Sequence, residues 1–63
     1  MPENFTQLAI GTTVRTRVGL EFVIKTIYQT NEDRTIYTAY GRYDPTHGPT
    51  IVYSYEITSV ITA

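Results

Sequence analysis

Asp44 and His47 form the one acid–base couple that the chain places within easy reach of itself, in the run Asp44-Pro45-Thr46-His47-Gly48-Pro49. A carboxylate beside an imidazole is the first half of general-base chemistry, but a nucleophile and an orienting third group must accompany it. Nothing near this run supplies either. Asp before Pro is ordinary turn chemistry, and two prolines with a glycine forbid a sheet ladder, so the run reads as a turn. Asn31, Glu32 and Asp33 gather oxygens that would hold a cation only loosely, and a solvated hairpin tip is the simpler reading. One His and no Cys cannot make a four-ligand zinc site, and the four glycines are too scattered for a phosphate loop. The expectation is a chain that is not an enzyme, with no metal and no cofactor.

The six tyrosines, Tyr28, Tyr37, Tyr40, Tyr43, Tyr53 and Tyr55, carry more information. A domain of this size buries two or three such rings, and strand alternation sends Tyr40, with Tyr53, inward. Tyr28, Tyr37 and Tyr43 then lie outside, with Arg42 next to Tyr43. Tyr and Arg are enriched where proteins bind proteins, and they also suit base stacking with phosphate contacts. Outer tyrosines equally serve β propensity and cover a thin sheet. The binding set expected from sequence is Tyr28, Tyr37, Tyr43, Arg42, Arg15, Asp44 and His47. Its expected partner is a protein or a second copy of the chain, with single-stranded nucleic acid as the alternative. A further alternative is a homo-oligomer whose site forms between chains.

These residues must be positioned by strands. Val, Ile, Thr, Tyr and Phe make up about half of the 63 residues, and helix formers are scarce, so the class is all-β. The first ten residues read as an N-terminal arm: residues 1–6 as a loose lead-in, with Phe5, Leu8 and Ile10 packing over one end of the domain. The first strand spans 13–18, with Val14, Thr16 and Val18 on one face. The second starts at Glu21. A three-residue loop, Val18-Gly19-Leu20, opposes Val14 to Ile24, Thr16 to Phe22 and Arg17 to Glu21, leaving Arg15 free across from Val23. That register puts the glycine mid-loop, where such loops usually have it last. Ile27 breaks the parity of Phe22 and Ile24, so a β-bulge near Lys25-Thr26 is expected. Across a turn at 29–34, Ile27 then faces Ile36, Ile24 faces Thr38 and Phe22 faces Tyr40. The third strand spans 35–43 and the fourth 50–53. Residues 54–57 suit one helical turn capped by Ser54, and 60–62 form a fifth strand that meets the first.

Length and charge set the outer bounds. Sixty-three residues make a single domain, 1–63, which buries only about 60% of its unfolded surface. Without Cys it has neither disulfide nor thiolate–metal staple, which fits a reducing compartment. Five Lys and Arg against six Asp and Glu give a net charge of −1, no footprint for nonspecific duplex binding. No apolar run is long enough to span a membrane, and the first residues lack a signal-peptide pattern, so a cytoplasmic protein is expected.

The series Gly11-Thr12-Thr13-Val14, then Gly19, Phe22, Ile24 and Ile27, followed by Tyr53, Glu56, Ile57 and Val60, resembles the SH3-like small barrels of bacteria and their phages. In those barrels a single helical turn precedes the closing strand, the place taken here by residues 54–57. The resemblance implies a five-stranded SH3-like barrel acting as a binding module, a small regulatory or accessory protein. The chain departs from the polyproline-gripping type in having no Trp and no acidic loop beside a Tyr pair. It also lacks the glycine spacing of KOW-type modules.

Overall fold

A computed structural model describes residues 5–31 and 33–62. The β-branched and aromatic bias is realised as five strands: β1 (Thr13–Thr16), β2 (Glu21–Thr30), β3 (Thr35–Gly41), β4 (Thr50–Tyr53) and β5 (Ile57–Thr62). They form one antiparallel sheet in the order β4-β3-β2-β1-β5. Single helical turns occupy Pro45–His47 and Ser54–Glu56, the latter just ahead of β5 as expected. The fifth strand does meet the first. Among the described residues no ladder joins β4 to β5, so the hydrogen-bonded sheet is not closed into a barrel. Every strand contributes to the core: Val14 from β1, Ile24 from β2, Tyr37 and Ala39 from β3, Val52 from β4 and Ile57 from β5. Phe5, Leu8 and Phe22 pack against this cluster. Ile10, expected in the arm's packing, is instead exposed.

The β1–β2 loop does hold three residues, but they are Arg17, Val18 and Gly19. The Gly19 N–H donates to the Thr16 carbonyl and the Thr16 N–H to the Leu20 carbonyl, both at 2.9 Å. Gly19, at φ +88°, thus takes the last loop position, where a left-handed residue is required. Register moves by two residues: Val14 pairs with Phe22 and Arg15 with Glu21. A shift of two preserves parity, so Val14 and Thr16 stay inside as expected. Val18 falls in the turn and is 74% exposed. Arg17, expected on Glu21, donates instead from its backbone N–H to the Glu56 carbonyl and from Nη2 to the Tyr55 carbonyl, both at 2.9 Å.

The bulge at Lys25 is present, between the pairs Ile24–Ala39 and Thr26–Thr38. A second lies at Tyr28, between Ile27–Tyr37 and Gln29–Ile36. β2 runs to Thr30 and β3 starts at Thr35, with the Asn31 N–H donating to the Arg34 carbonyl at 2.7 Å between them. The turn is therefore two residues shorter than expected and the second bulge takes back one. A net shift of one turns β3 over. Its inner face is Thr35, Tyr37 and Ala39, while Ile36, Thr38 and Tyr40 lie on the other side. Tyr37, expected outside, is 0% exposed. Ile27 does share the face of Tyr37, its pairing partner, yet stays 48% exposed.

Burying a tyrosine requires a partner for its hydroxyl. Tyr37 Oη donates to the Phe5 carbonyl at 2.5 Å and accepts from the Leu8 N–H at 3.2 Å, which fastens the arm to the core. Thr35 adds a second fastening, its Oγ1 donating to the Thr6 carbonyl at 2.8 Å. Ser54 does not cap its helical turn: its buried Oγ accepts from the Thr35 N–H at 3.0 Å. Among the described residues, no buried side-chain nitrogen or oxygen lacks a hydrogen-bond partner.

Tyr37→Phe leaves the ring and removes only these two bonds, so it is expected to destabilise by about 1–3 kcal/mol. The urea midpoint should fall while exchange at the Leu8 amide accelerates. Unchanged values for both would show that the hydroxyl does not hold the arm.

Candidate functional site

Three of the seven expected binding residues converge on one carboxylate. Glu21 opens β2, its side chain 10% exposed, and it receives Arg15 Nη2 on Oε2 at 2.8 Å and Arg42 Nη1 on Oε1 at 2.6 Å. Tyr43 Oη donates to the same Oε1 at 3.3 Å, and the Arg42 N–H donates to the Glu21 carbonyl at 3.0 Å. Register explains the first contact, since Arg15 is paired with Glu21 across β1–β2. The second follows from β3 ending at Gly41, opposite Phe22, which brings Arg42 alongside Glu21. The Arg42 guanidinium also lies 5.2 Å from the Tyr43 ring centroid. Hydrogen bonds from Arg15 and then Arg42 hold the Glu21 carboxyl below its usual range. The Glu21 hydrogen bond in turn raises the Arg42 guanidinium above its ordinary value.

A depression opens beside this cluster. Leu20 and Phe22 form its floor, with Gly41, Tyr43 and Asp44 along one side. Two further hollows share Leu20 and Phe22 with it, one lined also by His47 and Thr50 and the other by Val18 and Ile51. Leu20 is 58% and Ile51 43% exposed, so apolar surface faces outward at this end of the molecule. Tyr43, at 79% exposure, stands over the rim.

The expected residues therefore separate. Arg15, Arg42 and Tyr43 meet on Glu21, and Asp44 and His47 flank the depression. The His47 Nδ1 lies 3.7 Å from Asp44 Oδ2, beyond hydrogen-bond range, and Asp44 Oδ1 is taken by the Thr46 hydroxyl at 2.9 Å. Tyr28 is exposed as expected but sits toward the far end of β2, and Tyr37 is in the core. Sequence reasoning missed Val18, Leu20, Glu21, Phe22 and Ile51 as site residues. The signal was a hairpin tip spelled Val-Gly-Leu, where polar residues would be usual. Among the described residues, no three His, Cys, Asp or Glu gather to hold a metal, and Glu32 of the acidic tip lies outside them. Among the described residues, no helix is long and apolar enough to cross a membrane. The chain matches no protein family, no curated protein and no solved structure.

With its pKa lowered by folding from the ordinary value of 4.5, Glu21 binds its proton more weakly in the native state than in the unfolded chain. The resulting stabilisation is present above that pH and is lost as pH falls through the lower, native value. Urea midpoints of the wild type and of Glu21→Gln should differ near neutrality and converge in acid. A gap that stays constant with pH would show that the charge of Glu21 contributes nothing.

Proposed function

We propose that this chain is a non-enzymatic docking module of the SH3-like small-barrel kind, acting through protein–protein interaction as an adaptor, inhibitor or small accessory subunit in a bacterium or its phage. The observation that carries this reading is the outward display of Val18, Leu20 and Ile51 around Phe22, beside a cluster in which Arg15 and Arg42 are already paired with Glu21. A contiguous apolar patch on a small domain marks a contact surface. Its anatomy, an apolar floor with Tyr43 and Arg42 at the edge, matches that of protein interfaces. Because Glu21 fixes Arg15 and Arg42 beforehand, a partner would meet side chains already ordered, which lowers the entropic cost of association.

One observation favours nucleic acid as a second reading, on other residues than those expected. The rings of Tyr53 and Tyr55 stack at 5.2 Å, and the Arg34 guanidinium lies 5.6 Å from the Tyr55 centroid. Aromatic faces beside a cation suit single-stranded bases.

Capture from lysate of the native host, with wild type, Leu20→Asp and Tyr28→Ala as bait, tests the first reading. Leu20 and Tyr28 are both exposed, so neither change should unfold the domain. Tyr28→Ala should retain the partner that the wild type captures, and Leu20→Asp should lose about tenfold or more of it. Equal capture by Leu20→Asp, with an unchanged thermal midpoint, would place docking elsewhere. Oligonucleotide binding that weakens steeply with salt and is lost in Tyr55→Ala would instead favour the second reading.

A further inference from the structure

We infer that the partner enters as an extended segment that adds a strand to the free edge of β4, a proposal that rests on the docking reading above. The sheet has two edges, and they differ. β5 meets β1 with register shifts between Thr13 and Val14 and between Arg15 and Thr16, so its course is bulged. Bulges, charges and proline are the usual protections of an edge against an added strand. β4 has none of these three and is blunted only by its shortness: it pairs with β3 through four uninterrupted residues, Ile36–Tyr53, Tyr37–Val52, Thr38–Ile51 and Ala39–Thr50. Its own sequence, Thr-Ile-Val-Tyr, contains no charge and no proline.

That edge borders the apolar depression. A groove of about 160 Å³ runs between Val18, Leu20 and Phe22 on one wall and Ile51, Val52 and Glu56 on the other. An edge strand presents backbone donors and acceptors at strand spacing, and an extended backbone is the ligand that satisfies them. Alternate side chains of such a segment would point to the Val18–Leu20–Phe22 wall, so they should be apolar. The charged group lining this groove is Glu56, whose carboxylate makes no ion pair among the described residues. Arg17 is close by, but its guanidinium is engaged by the Tyr55 carbonyl. Charge complementarity therefore calls for a Lys or Arg on the incoming strand. A second copy fits less well, because its own β4 edge would have to enter a groove walled by the β1–β2 turn with a whole sheet behind it.

A random linear peptide library selected against the immobilised full chain tests this. Enriched sequences should alternate apolar residues, carry Lys or Arg and exclude proline from their centre. The tightest of them should slow amide exchange within β4, and N-methylation of alternate peptide bonds should weaken it about tenfold or more in one register only. Glu56→Lys should reduce its affinity several-fold. Peptides that lose binding in Leu20→Asp yet leave β4 exchange unchanged would overturn strand addition while supporting the groove. Proline-rich or acidic enriched sequences, or no enrichment at all, would also overturn it. The docking reading itself is then decided by the Leu20→Asp capture, which does not depend on the shape of the partner.

Discussion

The Tyr37 hydroxyl reaches through the core to the N-terminal arm, donating to the Phe5 carbonyl and accepting from the Leu8 amide, while its ring fills the same cluster as Ile24, Val52 and Ile57. A chain of 63 residues without cysteine has little interior to spare, and this side chain serves both as its bulk and as its fastener. Its placement dictates the parity of β3. With Thr35, Tyr37 and Ala39 turned inward, Ser54 is drawn to the Thr35 amide, and β4 is held in register by its pairing with the same strand. The first bulge of β2 meets the same demand, since one extra residue at Lys25 keeps Ile24 and Ile27 on the face of Tyr37, while the second, at Tyr28, sets the pairing of Gln29 and Thr30 with Ile36 and Thr35.

Glu21 plays the corresponding part at the candidate site. It is the first residue of β2, and its two oxygens reach a strand on one side and the segment leaving β3 on the other. Two guanidiniums sharing one carboxylate fix the directions of Arg15 and Arg42, and through Arg42 the ring of Tyr43. Ion pairs of this exposure add little to stability, so their effect is geometric: they hold the rim of the depression in one arrangement.

Strand composition and period-two alternation made the class, the five strands, the span of β4, the meeting of β1 with β5 and the helical turn before β5 legible in advance. The first bulge was legible because Ile27 breaks the parity of Phe22 and Ile24. What escaped was register, which depends on how tightly each turn closes. Gly19 held the clue to the first turn, because a left-handed residue belongs at the loop's end and Arg17-Val18-Gly19 obeys that rule. For β3 no local signal chose between Ile36-Thr38-Tyr40 and Thr35-Tyr37-Ala39 as the inner set. The choice is settled by the arm, whose backbone offers the hydroxyl its partners from about thirty residues away. The candidate site was half legible for the same reason. Arg42, Tyr43 and Arg15 stand out by type, whereas Leu20 and Ile51 become surface only once the turn and the edge strand are in place.

Arg17 binds the carbonyls of Tyr55 and Glu56, joining one wall of the groove to the turn that follows the other, across 38 positions of sequence. The groove is thus a product of tertiary closure with no local precursor in the chain. A hairpin of β1 and β2 alone would display Val18 and Leu20, but with no opposite wall and no span to measure. Whatever recognises both walls at once therefore senses completion of folding itself, and its binding energy adds directly to the stability of the closed form.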